Sequence, residues 1–190
     1  MPFEAQDKPA LPTQPAFTGS VGFQPAFLNW RNETEMSTTQ VRAATPRDLK
    51  SLGKMRHALW PDSSVEHHEE ELIPILAGKP PGIMPLVYFV GEDASGEVVG
   101  FVEVGLRSTA DGCDWARAVG YIEGWYVAES HRRRGVGAQL VAAAENWARE
   151  QGCVEMASDT QIDNAQSLQA HLRLGYEIAE RSILFRKNLR

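Results

Sequence analysis

Gly120-Tyr-Ile-Glu-Gly-Trp-Tyr-Val-Ala-Glu-Ser-His-Arg-Arg-Arg-Gly-Val-Gly137 decides how the rest of the chain reads. An aromatic and β-branched run leads into three arginines and then into two glycines separated by one residue. An amphipathic segment follows over Val136–Arg149. This pattern predicts a strand, a tight turn and a helix. Gly135 and Gly137 keep side chains away from whatever lies over the turn. The first amides of the helix point outward without partners and favour a phosphate, and Arg132, Arg133 and Arg134 add positive charge. In an acidic protein such a turn points to a phosphorylated cofactor rather than to nucleic acid.

Composition narrows the setting. The chain has 190 residues, 43% of them hydrophobic, enough for one core and short for two domains. A formal charge of -6 and a pI near 5.4 argue against a nucleic-acid-binding surface. Cys113 and Cys153 are far apart and in no metal-ligand spacing, so free thiols in a reducing compartment are expected. His67 and His68 are adjacent rather than four apart, read as surface residues, and no metal is expected. No stretch approaches a membrane span and no basic-then-apolar leader is visible, so the expected location is the cytoplasm.

Working outward, residues 1–37 read as an irregular arm, with prolines at 2, 9, 12, 15 and 25 and no periodicity. Its large apolar groups (Phe17, Phe23, Phe27, Leu28 and Trp30) suit packing on a domain or a partner subunit. Met36 offers an alternative translation start. Residues 38–190 read as one domain. Gln40–Ala43 makes a short strand. Thr45-Pro46-Arg47-Asp48 opens a helix with a cap, an early proline and a capping-box carboxylate. Its stripe is Leu49, Leu52, Met55, Arg56 and Leu59, and Pro61 ends it. Val65–Leu76 is a second helix. Met84–Gly91 and Val98–Leu106 are strands joined by a glycine-bearing turn, and Thr109–Ala118 is a polar excursion before the strand Val119–Val127. After the helix that ends near Gly152 come a strand over Cys153–Ser158, a helix over Ala165–Arg173 and two last strands over Tyr176–Ala179 and Ile183–Arg186. Helices interspersed with strands give a mixed α/β fold.

Arg132-Arg-Arg-Gly-Val-Gly137, followed at a fitting distance by Asn164 and Leu174-Gly175-Tyr176, resembles the two cofactor segments of the GCN5-related N-acetyltransferases. Leu59-Trp60-Pro61, Ile122-Glu-Gly-Trp-Tyr-Val127, Glu155-Met-Ala-Ser-Asp159 and Glu177–Lys187 bring the likeness closer to aminoglycoside 6'-N-acetyltransferases. The resemblance spans roughly 40–189. It implies a mostly antiparallel central sheet with a parallel pair at the cofactor cleft, flanked by helices. It implies acetyl-CoA as cosubstrate, with pyrophosphate at Arg132, Arg133, Arg134, Gly135, Val136 and Gly137. The pantetheine arm would then lie along Trp125, Tyr126 and Val127, with Asn164 also contacting the cofactor. An aminoglycoside would be the acceptor, bordered by Trp60, and a homodimer is implied, with the last two strands exchanging or aligning edges.

Acyl transfer to an amine needs a deprotonated nitrogen beside the thioester, and a carboxylate to orient it and take its proton directly or through water. Glu123, inside an otherwise apolar strand, and Asp159, at the end of the next strand, are the candidates for both catalysis and substrate binding. Each leaves a second reading open. Glu123 could instead be the buried partner of an arginine or a cap on backbone amides, and Asp159 a cap on the following turn. Period-two alternation would place Tyr121, Glu123, Trp125 and Val127 on one face and Ile122, Gly124 and Tyr126 on the other. Trp60 could stack on a sugar ring or simply fill core. Beyond it, Asp62, Glu66, Glu69, Glu70 and Glu71 form an acidic stretch suited to a polycation. Many members of the superfamily carry a tyrosine four residues before the second segment's glycine, placed to protonate the leaving thiolate. His171 stands there here and is the candidate for that role, with bulk water and Tyr126 as the other proton sources. An acetyltransferase for another polyamine, metabolite or protein amino terminus, and a nonenzymatic acyl-CoA-binding domain, are the competing functions.

Overall fold

In the computed structural model, which describes residues 39–189, five strands and four α-helices alternate along the chain. The expected arm over residues 1–37, with its apolar groups, lies outside the described residues. The strands are β1 (Gln40–Ala43), β2 (Leu86–Glu92), β3 (Val98–Arg107), β4 (Val119–Val127) and β5 (Met156–Ser158). The helices are α1 (Leu49–Leu59), α2 (Val65–Leu76), α3 (Val136–Glu150) and α4 (Ala165–Arg173). The sheet order follows the chain, β1-β2-β3-β4-β5, antiparallel throughout except for the parallel pair β4/β5.

Alternation along β3 distributes the core between two faces. Val102 and Val104 meet Val136, Leu140, Val141 and Ala144 of α3. Phe101 turns the other way and joins Tyr88 and Val90 of β2 against Leu52 and Met55 of α1 and Leu72 of α2. The amphipathic segment read over Val136–Arg149 is thus α3, burying Val136, Leu140, Val141, Ala144 and Ala148, and Gly152, at φ +87, ends the helix as expected.

The start of α1 is fixed by charge. Arg42 of β1 forks onto the Asp48 carboxylate with two bonds of 2.8 Å. That carboxylate also accepts from the Thr45 amide at 2.7 Å and the Thr45 hydroxyl at 3.0 Å. Burial alone would raise its pKa, but the Arg42 bond and the Thr45 bonds outweigh burial and bring the group down to about 2 from the usual 3.8. A carboxyl lowered in the folded state contributes stability above its unfolded value. That contribution, roughly 2 kcal/mol, is lost as pH falls from 3.8 towards 2. Asp48→Asn should therefore cost roughly 3 kcal/mol at neutral pH by leaving Arg42 short of its partner. Urea melts of both proteins should show the gap narrowing across that acid window.

The carboxyl end departs from expectation. No strand forms over Tyr176–Ala179 or Ile183–Arg186; residues 176–189 have no regular structure. Tyr176 is still anchored, half-buried beside His171, but Ile183, Leu184 and Phe185 are 79%, 93% and 92% exposed. The reason is the edge offered to them. β5 is three residues long, too short a ladder to hold two further strands, and its apolar followers stay exposed.

Candidate active site

The site is built where β4 and β5 part. Their pairing runs through Gly120↔Met156 and Tyr121↔Ala157 and stops at Ile122↔Ser158. From Glu123 to Val127, β4 keeps β3 on one edge and, among the described residues, has no strand on the other, so a row of backbone donors and acceptors faces the fork. The Ser158 hydroxyl lies at the crotch, 3.4 Å from the Ile122 carbonyl and 3.1 Å from His171 Nε2. His171 Nδ1 is 2.8 Å from the Ser167 carbonyl. A carbonyl can only accept, so Nδ1 carries a hydrogen and Nε2 faces Ser158. The imidazole stands edge-on to Trp125 and to Tyr176, at 5.5 and 5.4 Å.

A β-bulge corrects the expected alternation of β4. Glu103 pairs with Gly124 and Val104 with Ile122, which leaves Glu123 as the extra residue. The phase of the strand flips there. Ile122, Trp125 and Val127 all pack on the α3 side, while Tyr126 packs on the α1 side and Gly124 backs onto Trp60. Period two cannot foresee this, because an unpaired residue shifts every later side chain to the opposite face.

Freed by the bulge, Glu123 reaches Arg107 at the end of β3, with Arg107 Nε 2.9 Å from Oε1 and Nη2 on Oε2. Glu123 is thus an arginine's partner, one of the readings its sequence left open, yet its side chain remains 28% exposed towards the fork. The Arg107 guanidinium also lies 3.3 Å from the centre of the Tyr121 ring. Partial burial would weaken its hold on its proton, but the Glu123 bond more than compensates. The Tyr121 hydroxyl donates to Asp159 Oδ1 at 2.6 Å. Burial, then the Asp159 bond, push that hydroxyl well above the ordinary tyrosine range, so it stays a donor. Asp159 is exposed, and this bond, not a cap on the next turn, is its engagement. The structure thus gathers Glu123 and Asp159 into one chain of contacts through Arg107 and Tyr121. The first link depends on the β3–β4 register and the second on the β4–β5 pairing, and neither is legible in the sequence.

Trp60, just past α1, forms the facing wall. A Cβ on Gly124 would sit 2.4 Å from the indole Cη2, so glycine is what lets the ring lie on β4. Arg56 lies 5.2 Å from the ring centre. His68 Nε2 is 3.0 Å from the Trp60 carbonyl and donates to it. His68 is only 3% exposed, which corrects the surface reading; it is the strut behind Trp60, whereas His67 does lie outward. The acidic stretch is partly neutralised, since Glu69 pairs with Lys50 and Glu71 with Arg56. No cluster of three or more metal-ligating side chains occurs among the described residues.

The arginine-glycine turn closes the other side. Arg132 bends back, its Nε 2.9 Å from the Val127 carbonyl, and so ties the turn to the end of β4. Arg133, at φ +61, and Gly135, at φ +85, bend the backbone around the start of α3. No side chain caps that helix, which leaves its first amides for an anion. Arg133 and Arg134 are exposed beside them. Gly137 lets the Trp125 indole approach α3, for a Cβ there would lie 2.7 Å from Cζ2. Asn164 uses its side-chain oxygen to cap α4, accepting from the Ser167 amide at 3.0 Å. These features fit a pantetheine diphosphate, with uncapped amides for the phosphates and an unpaired strand edge for the amide-bearing arm.

A mixed sheet that forks beside a glycine-bounded turn and an uncapped helix is the architecture of an N-acetyltransferase. The chain belongs to the acetyltransferase (GNAT) family, whose model matches residues 52–176. It is 41% identical over 153 residues to an aminoglycoside N(6')-acetyltransferase type 1 of Klebsiella aerogenes, covering 80% of this chain and 99% of the relative. A protein of the same name from Stenotrophomonas maltophilia is 38% identical, with 80% and 95% covered. Among solved structures it resembles AAC(6')-Iy in complex with the bisubstrate analog CoA-S-monomethyl-acetylneamine. That match has a TM-score of 0.72 and 35% identity, covering 80% of this chain and 99% of that one. No helix among the described residues is long and apolar enough to cross a membrane.

Proposed function

We propose that the protein, in the cytoplasm, transfers the acetyl group of acetyl-CoA to the 6'-amine of aminoglycosides, with both substrates bound together. The observation that carries this reading is the pair of acids, Glu123 and Asp159, linked through Arg107 and Tyr121 at the mouth of the fork. Glu123 is next to Gly124, on which Trp60 lies, and its strand leads into the arginine-glycine turn. The similarity to enzymes named for this activity supports it.

Acetyl-CoA supplies the acyl group as a thioester. Arg133, Arg134 and the amides of Val136 and Gly137 would hold its diphosphate, and the exposed edge of Trp125–Val127 its arm. Glu123 orients the ammonium group of the acceptor and takes a proton from it, directly or through water. The Arg107 bond fixes the carboxylate's direction, so little reorganisation is needed when the amine arrives. Asp159 holds a neighbouring hydroxyl or amine of the acceptor. Trp60 offers a flat apolar face to a sugar ring. At the crotch, an imidazolium form of His171, protonated at both nitrogens, would pass its Nε2 proton to Ser158 Oγ as the serine hydroxyl gives its own to the departing thiolate.

Acetylation of kanamycin-type substrates tests the reading. Those with a 6'-amine should react and those with a 6'-hydroxyl should not; equal rates on both, or none on either, would overturn it. The activity is assigned to residues 38–190. A homodimer completes the proposal, with the exposed Ile183-Leu184-Phe185 segment adding to the sheet edge of a second copy. Sedimentation should give a dimer for the full chain and a monomer once residues 180–190 are removed.

A further inference from the structure

Behind the Trp60 wall lies a second group of titratable side chains that the acetyl transfer described above does not use. Glu103 of β3 is 7% exposed, Arg56 of α1 9% and His68 of α2 3%. Tyr88 of β2 stands directly across the strands from Glu103. Each of the four has a buried polar atom without a hydrogen-bond partner: Glu103 Oε2, Arg56 Nε, His68 Nδ1 and Tyr88 Oη. Only two other buried side-chain atoms among the described residues, Thr39 Oγ1 and Trp125 Nε1, share that condition. Unpartnered polar atoms are costly; the Tyr88 hydroxyl and the Glu103 carboxylate are near enough to act on each other, and Arg56 Nε and His68 Nδ1 leave further hydrogen-bonding capacity in the same polar chamber. Water is the ligand whose two donors and two acceptors suit such a mixed set.

The chamber adjoins the fork. Glu103 and Gly105 occupy the same face of β3, two residues apart and so about 7 Å along the strand. A Cβ on Gly105 would lie 3.8 Å from Glu123 Oε1. The Glu123 carboxylate therefore sits over the position next to Glu103, separated by a gap that one or two waters can bridge. On the far side, Glu71 contacts both Arg56 and His68 and is 45% exposed, so the chamber also opens to solvent. Glu123 itself is tied at both oxygens to Arg107. A proton resting on it would break one of those bonds, whereas Glu103 has no arginine fork to lose and only the Tyr88 hydroxyl acting on its carboxylate.

We propose that Glu103 is the proton acceptor for the reacting amine, reached from Glu123 through chamber water and emptied to solvent by way of Glu71. Resting on the amine-acetylation reading, this adds the destination of the proton. The balance is simple. The ammonium N–H breaks and the proton ends on the Glu103 carboxylate; the amine lone pair then forms the C–N bond. The C–S bond breaks, and the second nitrogen proton replaces the one given to the thiolate. The proton on Glu103 is later released, so each turnover yields amide, thiol and one proton. Burial, as the largest influence, raises the Glu103 carboxyl above the ordinary glutamate range, and the negative charges of Glu123 and Glu71 raise it further. Tyr88 and Arg56 oppose this without cancelling it. An acceptor raised in this way matches an amine better than an exposed carboxylate does.

Glu103 acts through Glu123, so it is a positioning and relay residue, and its test must move something a structural role would not. The full-length protein, Glu103→Gln and Glu103→Asp are compared by the pH profile of kcat/KM for a 6'-amino aminoglycoside. Infrared spectra of the substrate-free proteins are recorded beside them. The wild type should show an acid limb above the usual glutamate range and a protonated-carboxyl band that grows as pH falls through that limb, the anion being the form that accepts the proton. Glu103→Gln should lose both and drop kcat roughly 10- to 100-fold with the KM for acetyl-CoA unchanged, while Glu103→Asp should restore a displaced limb. An unaltered profile in Glu103→Gln, or a band that survives the substitution, overturns the proposal. If Glu103→Gln does not fold, Glu103→Asp decides, an undisplaced limb counting against it. If the wild type acetylates no aminoglycoside, the substrate reading fails by itself. The infrared band then decides, and its absence overturns the relay.

Discussion

Glu123→Gln should lower kcat/KM for 6'-amino aminoglycosides by roughly 10²- to 10⁴-fold, the span general-base groups supply. Acetyl-CoA affinity and folding should hardly change. The amide keeps the length and shape of the acid. It retains an oxygen for Arg107, whose second donor remains stacked on Tyr121 and partly open to water at 42% side-chain exposure. What the variant loses is the negative charge that steers an ammonium group and the site for its proton. The proposed diphosphate turn begins beyond the end of β4 and reads neither. Single-turnover acetylation under saturating acetyl-CoA, beside a separate titration of the cofactor, separates the two effects. A variant with wild-type turnover would reduce Glu123 to a structural counter-ion for Arg107. Asp159→Asn is expected to be milder, because Asp159 is exposed and Tyr121 can still donate to the amide oxygen.

Local pattern and long-range pairing divided the legible from the illegible. The turn at Arg132–Gly137 and the buried stripe of α3 could be read because they depend on neighbours in sequence: glycine conformations, an uncapped helix start and a 3.6-residue period. The two acids of the fork were also legible, as charges where a strand should be apolar or ending. Their partners were not. Arg107 reaches Glu123 because the bulge shifts β4 against β3, and Tyr121 reaches Asp159 because β5 runs parallel beside β4. Both are facts of register. His68 was misread for a similar reason. Adjacent histidines on a charged helix look external, but one of them falls on the face that α2 turns to α1 and Trp60. The last two strands failed because an alternating apolar run says only that a segment can pair. Whether it does depends on an edge long enough to receive it, and three residues of β5 do not provide one.

Gly124→Ala, a single added methyl, should cost about 1–3 kcal/mol of stability and raise the aminoglycoside KM roughly tenfold or more, a change of about 1.4 kcal/mol or above. The new Cβ would lie 2.4 Å from Trp60 Cη2 and 2.8 Å from Cζ2, well inside contact distance. β4 cannot retreat, because it is paired with β3 along its length and backed by α3. The indole must give instead. Swinging it away breaks its contact with Phe101, at 6.4 Å between ring centres, and its place beneath the Arg56 guanidinium. It also drags on the carbonyl that His68 holds. The wall offered to the sugar would then be displaced while the anion-binding turn stays as it was, so the acetyl-CoA KM should not follow. A double-mutant cycle isolates the cause. Phenylalanine lacks the far ring atoms that collide, so Trp60→Phe should be mildly harmful alone yet should recover much of the lost stability in the Gly124→Ala background. If the two penalties simply add, the methyl acts through the strand rather than through Trp60, and the tryptophan is not the wall that Gly124 makes room for.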